Sequence, residues 1–314
     1  MKRCVHLEGQ MLALSDFNGF ARDPSVIFYD LLEPSAGATR PSIVMLHGGG
    51  HTGACWLRTV NDRPGWAYLF AAAGHRVIAP DWPGHGRSGA VDYSKLDGGQ
   101  VCHWLTSFIE QLGEPVVLVA HSMGGALGWR IAELAGRSVI AIVGVAPAPP
   151  GNIQPEANLL KETEQGWTVR VGSHTVFLQK APSAPHESFI RNKLIGKSTR
   201  FPVESLARYA SSLTITAPRL IYERLNIDGS QVRVEDPFSF AGRPVLVLTG
   251  TNDVDHPRRV DEAIAEWLKA HGAQAEFIWL GDRGISGNGH MLMLEDNSDD
   301  IGALILEWLE KSVK

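Results

Sequence analysis

The stretch LVAHSMGGALGWRIAELAG, residues 118–136, runs an apolar segment into a His-Ser pair, breaks into glycines and continues with helical periodicity. A buried strand followed at once by a helix predicts a tight turn at Ser122, with Ala120 and Gly124 two positions to either side. Larger side chains at these two positions would collide in so sharp a bend. A serine in a strained turn costs roughly 1–3 kcal/mol and gains nothing in packing, so it points to chemistry. The pattern is that of a nucleophile elbow, in which the turn lifts a hydroxyl above the end of a sheet. The N-terminus of the following helix then faces whatever binds beside it.

The rest of the chain supplies the sheet. Short runs rich in Val and Ile at 43–46, 77–79, 116–120, 139–145 and 244–249 read as strands buried on both faces, with another at 276–280. Helical patterns lie between them at 67–73, 99–112, 124–135 and 260–271. A last helix over 299–314 puts Ile301, Leu304, Ile305, Trp308 and Leu309 on one face. Strands alternating with helices predict βαβ units, hence an α/β fold with a mostly parallel central sheet flanked by helices. The runs 10–14 and 27–32 read as antiparallel strands leading into it. Between 147 and 241 this rhythm stops and prolines recur, so the segment is expected to form an inserted helical cap, with helical pieces at 155–164 and 203–211. The expected division is a core of 1–146 and 242–314 with a cap of 147–241.

The glycines of IVMLHGGGHTG, residues 43–53, follow a strand and let the backbone turn an N–H toward a substrate. Gly49, with Met123 after the serine, is the expected pair of oxyanion donors. The stretch GHGRSG at 84–89 spells a dinucleotide fingerprint, but no helix opens inside it, so a bound dinucleotide is not expected.

A nucleophilic serine needs a base in reach and a carboxylate to orient that base. In chain order after Ser122, the loop TGTNDVDHP offers Asp253 and Asp255, and GDRGISGNGHMLMLED places His290 before the last helix. Ser122, Asp253 and His290 are the expected set, with Asp255 as the competing acid. His121, next to the nucleophile, is expected to point away from it and to play a supporting part. His47 and His51 lie in a loop without acidic partners, so no metal site is expected. His51, Trp56 and Trp82 are candidates for contact with substrate.

Together, HGGG, DWPGHGRSG, AHSMGG, LTGTND and GNGHMLMLED resemble the motifs of the α/β-hydrolase fold superfamily, in its serine esterase-like branch with a cap. The resemblance runs from about residue 27 to the C-terminus. It implies a serine hydrolase without a cofactor that cleaves a small to medium carboxylic ester through an acyl-enzyme. A C–C bond hydrolase, a lactonase or an amidase would use the same residues, and a non-catalytic ligand-binding protein is the alternative of another class. Ser122 departs from the dehalogenase and epoxide hydrolase branches, which need aspartate there. Some bacterial esterases similar around GNGHMLMLEDN carry a glutamate just after the preceding strand. Ala146 stands at that place here, and the next acid is Glu156.

Composition limits the partners. Of 314 residues 44% are hydrophobic and 20% charged, with a net charge of −5 and no basic cluster, which argues against nucleic acid or an anionic membrane. The expected partner is a small-molecule ester. The start lacks the apolar run of a signal peptide, and Cys4, Cys55 and Cys102 are too sparse for a disulfide framework. Both observations suggest a cytoplasmic protein.

Overall fold

The computed structural model describes residues 6–13, 26–34 and 37–313. Cys4, Leu14 and Lys314, which enter the sequence readings above, lie outside the described residues.

The central sheet is formed by β1 (His6–Ala13), β2 (Val26–Glu33), β3 (Arg40–Leu46), β4 (His75–Pro80), β5 (Val116–His121), β6 (Val139–Val145), β10 (Pro244–Thr249) and β11 (Gln274–Trp279). Their order across the sheet is β1-β2-β4-β3-β5-β6-β10-β11. The first two strands pair antiparallel with their neighbours, as expected, and all pairings from β4 to β11 are parallel. Alternation along each strand sends side chains to opposite faces. Val44, Leu46, Leu118, Ile142 and Val247 join the core under α2 (Gly98–Gln111), α3 (Met123–Leu134) and α7 (Arg258–Ala270). Ile43, Met45, Val117, Val119 and Leu248 join the other core, under α1 (Trp66–Ala72) and α8 (Ser298–Ser312). The near-continuous apolar strands follow from this double burial.

From β3 the chain goes to β4 on one side and then crosses to β5 on the other. Such a reversal opens a crevice beyond the carboxyl ends of the two strands, where ligands of open α/β sheets bind. The Gly-rich loop follows β3 and Ser122 follows β5, so both motifs meet at this crevice.

The segment between β6 and β10 corrects one expectation. It is not all helical. It carries a three-stranded antiparallel sheet of β7 (Asn158–Glu162), β8 (Gly166–Val171) and β9 (His174–Gln179). Residues 155–164, read as helical for their Leu, Lys and Glu, contain strand β7. Pairing with β8 and burial of Val169 against Tyr222 and Ile227 outweigh that local helix propensity. Helices follow: α4 (Glu187–Phe189), which continues as a π-helical turn, then α5 (Leu206–Ser212) and α6 (Pro218–Arg224).

The DWPGHGRSG turn is a structural clamp. Asp81 accepts hydrogen bonds from the N–H groups of Gly53 and Arg87, both at 2.8 Å, and Arg87 bridges it to Asp30. Burial raises the Asp81 pKa, but the hydrogen bonds and charge of Arg87 outweigh it, and the carboxyl stays below its usual range. The turn thereby ties the loop after β3 to strand β2.

Candidate active site

Ser122 occupies the turn between β5 and α3 with φ 52° and ψ −125°, a left-handed conformation that a residue with a side chain adopts only when its surroundings impose it. Its carbonyl accepts the N–H groups of Gly125 and Ala148 at 2.8 and 2.9 Å, which fixes the turn from both sides. Gly124 is required by packing. A Cβ there would lie 2.3 Å from the His47 carbonyl oxygen, so the loop after β3 lies directly against the elbow.

The three residues expected to act together do meet. The Ser122 Oγ lies 2.9 Å from His290 Nε2, and His290 Nδ1 lies 2.7 Å from Asp253 Oδ2. With Nδ1 facing a carboxylate, the imidazole carries its proton there and leaves Nε2 bare to accept the serine proton. Asp253 Oδ1 accepts the N–H groups of Asp255 at 2.9 Å and His256 at 3.1 Å. Burial raises the Asp253 pKa, but the charge and hydrogen bond of His290 prevail, holding it well below the usual carboxylate range. Asp255, the competing acid, instead forms an ion pair with Lys193. Glu156 is exposed and pairs with Arg233 at 3.4 Å.

Other buried histidines frame this chain. His121 Nε2 donates to the His290 carbonyl at 3.0 Å, and burial holds its pKa far below the ordinary value. It supports the backbone of His290. His51 Nδ1 donates to the Gly49 carbonyl at 2.8 Å, and its Nε2 accepts from the Tyr209 hydroxyl at 3.0 Å. Burial lowers the His51 pKa to about 4, so it is neutral and fixed in place. His47 Nε2 accepts the backbone N–H of Trp82 at 3.1 Å, and burial lowers its pKa to about 3. Trp56 and Trp82 are fully buried, Trp82 stacked on His47, and neither presents surface to a ligand in this structure. Among the described residues, no group of three His, Cys, Asp or Glu converges to hold a metal ion.

Sequence reasoning missed two parts of the site. His256 stacks on His290 with ring centroids 5.0 Å apart, and its Nδ1 donates to Asp261 at 2.9 Å. Burial lowers the His256 pKa, but Asp261 outweighs it and raises the value. Glu295, buried, accepts the Gly289 N–H at 2.8 Å, Asn288 at 2.7 Å and the Ser198 hydroxyl at 2.5 Å, and so holds the loop that carries His290. The acid at the end of HMLMLE, five residues after the histidine, was the available signal for the second. Nothing in the sequence marks the first.

Comparison with known proteins agrees with this architecture. Residues 43–304 match the model of the alpha/beta hydrolase family. A protein named as a probable secreted lipase of a fungal species is 24% identical over 86% of this chain and 81% of its own length. Methylesterase 7 of Arabidopsis thaliana is 33% identical over 43% of this chain, which spans half the length of that relative. The solved structure of a thermophilic esterase from Thermogutta terrifontis superposes with a TM-score of 0.62 at 16% identity, covering 97% of this chain and 100% of the other. Among the described residues, no helix is long and apolar enough to cross a membrane.

Proposed function

Because the chain belongs to the alpha/beta hydrolase family, we propose that it is a serine hydrolase cleaving a small to medium carboxylic ester through an acyl-enzyme. The observation that carries this reading is the hydrogen-bonded line from Ser122 Oγ through His290 to Asp253, with contacts of 2.9 and 2.7 Å.

Ser122 Oγ attacks the ester carbonyl carbon as its proton passes to His290 Nε2. Asp253 stabilises the resulting imidazolium and keeps its orientation. The oxygen of the tetrahedral intermediate takes hydrogen bonds from the N–H groups of Met123 and Gly49. Two observations support these donors. Met123 begins α3, so its N–H has no partner within the helix. A Cβ on Gly49 would lie 2.3 Å from Met123 Sδ, so this backbone passes close to the elbow. His290 then returns the proton to the leaving alcohol oxygen as the C–O bond breaks. Water, activated by the same nitrogen, hydrolyses the acyl-enzyme and regenerates Ser122.

The test is turnover of short-chain 4-nitrophenyl esters together with labelling by a fluorophosphonate. Wild-type protein should release nitrophenol and carry one adduct on Ser122. Ser122→Ala should lose on the order of 10⁴–10⁶ in kcat, with its fold intact. Labelling of another serine, or undiminished turnover by the variant, overturns the reading. For compartment, the sparse cysteines of the chain support a cytoplasmic enzyme, which cell fractionation tests directly.

A further inference from the structure

The loop that carries the proposed oxyanion donor Gly49 is a run of glycines, Gly48 to Gly50, and glycine has the greatest backbone freedom of any residue. A donor that stabilises a developing charge must be aimed before the charge appears, so that freedom has to be removed. Much of what removes it comes from the segment inserted between β6 and β10.

The peptide joining Gly48 to Gly49 is held by its carbonyl, which accepts from His47 Nδ1 at 2.8 Å and from the His51 N–H at 3.3 Å. In a trans peptide the N–H points opposite to the C=O, so these bonds also set the direction of the Gly49 N–H. The next peptide is gripped at both ends. The Gly49 carbonyl accepts from His51 Nδ1 at 2.8 Å, and the Gly50 N–H donates to Thr216 Oγ1 at 2.6 Å. His51 is oriented in turn by the buried Tyr209, whose hydroxyl donates to Nε2 at 3.0 Å. With the peptides on both sides of Gly49 held, its own φ and ψ are fixed.

Tyr209 lies on α5, and Thr216 lies on the stretch 213–217 that leads to α6. The same segment encloses Gly50 further. The Thr214 N–H donates to the Gly50 carbonyl at 2.8 Å, and a Cβ on Gly50 would meet Pro185 Cγ at 2.8 Å. The far end of the stretch is anchored by the Ala217 N–H, which donates to His85 Nε2 of the DWPGHGRSG turn at 3.0 Å. Thr216 and Gly50 are both buried, so without the threonine hydroxyl the Gly50 N–H would be left without an acceptor.

We infer that Thr216 and Tyr209 are positioning residues for the oxyanion hole, Thr216 acting through the Gly50 N–H and Tyr209 through His51. The consequence for catalysis rests on the serine hydrolase reading; the clamp on Gly49 and Gly50 stands on the hydrogen bonds themselves.

The experiment uses three variants. Thr216→Val keeps the shape of the side chain and removes the acceptor, Thr216→Ser keeps the acceptor, and Tyr209→Phe removes only the donor to His51. With a short-chain 4-nitrophenyl ester, kcat of Thr216→Val should fall by about 10–100-fold, less than the 10²–10³ lost when an oxyanion donor is deleted outright, while KM changes by less than about threefold. Tyr209→Phe acts through one more bond and should lose about 3–10-fold in kcat, and Thr216→Ser should retain at least about a third of it. A trifluoromethyl ketone reads the same geometry without turnover. Ser122 Oγ adds to its carbonyl carbon, the proton passes to His290, and the oxygen is left as an oxyanion, so Ki should rise in Thr216→Val by about the factor lost from kcat. Unchanged kcat in Thr216→Val overturns the role of Thr216, and unchanged kcat in Tyr209→Phe that of Tyr209. A loss carried by KM alone, or Thr216→Ser no better than Thr216→Val, also overturns the inference. If wild type turns over no ester and Ser122 is not labelled, the hydrolase reading fails, and hydrogen exchange at the Gly50 amide tests the clamp by itself. Exchange faster by at least about tenfold in Thr216→Val, with the fold intact, supports the clamp, and equal exchange refutes it. Thr216→Ala serves both measurements if Thr216→Val does not fold.

Discussion

Replacing Asp253 by asparagine tests the proposed triad at the point where its geometry is most constrained. Asp253 Oδ1 accepts two backbone N–H groups, at 2.9 and 3.1 Å, and Oδ2 faces His290 Nδ1 at 2.7 Å. An asparagine has one acceptor to divide between these directions. Pointing its oxygen at His290 would set its NH₂ against both backbone donors. Each buried donor left unsatisfied costs about 1–3 kcal/mol, so that orientation is disfavoured by about 2–6 kcal/mol. At 1.36 kcal/mol per decade, this is a factor of about 30 to 10⁴. The oxygen therefore stays with the backbone and the NH₂ donates to His290 Nδ1. The imidazole proton moves to Nε2, which then meets the Ser122 hydroxyl as a donor and no longer acts as a base. We expect kcat for a 4-nitrophenyl ester to fall by about 10³–10⁴, the upper end matching the loss that the wrong tautomer causes in a serine protease. Asp255→Asn, which touches only the pair with Lys193, should cost less than about tenfold. Losses below tenfold in Asp253→Asn, or a larger loss in Asp255→Asn, would refute the assignment of the acid.

Two further predictions follow from packing and burial. Gly124→Ala places a Cβ 2.3 Å from a backbone oxygen, whereas at Gly128 the nearest atom is the Ala120 Cβ at 3.1 Å. Gly124→Ala should therefore lose about 1–3 kcal/mol in urea unfolding and about 10²-fold in kcat, and Gly128→Ala much less of both; equal effects would refute the close approach. His51 has its pKa lowered from 6.5 to about 4 in the folded protein, so between these values the unfolded chain takes up a proton that the fold refuses. Stability should fall as pH drops through that window, and His51→Gln should flatten the slope by up to about 1.4 kcal/mol per pH unit. An unchanged slope in the variant would mean that His51 is protonated in the fold.

Local constraints made most of this protein legible in its sequence. Strands buried on both faces must be continuously apolar, and a tight elbow must be flanked by small residues. Those two demands identified the parallel sheet and Ser122 without coordinates. The order of loops after successive strands brought forward His290 and the pair Asp253 and Asp255. Choosing between the two acids required the fold, because it depends on which carboxylate turns inward to meet two backbone donors and which turns outward to a lysine. The three-stranded sheet at 158–179 was hidden for a related reason. Its Leu, Lys and Glu favour a helix locally, and only pairing between β7 and β8 and burial beneath Tyr222 make a strand the lower-energy choice. His256, stacked on His290, is an ordinary residue in sequence. Its meaning comes from neighbours far along the chain, since burial is a property of a packed volume and not of a local run of residues.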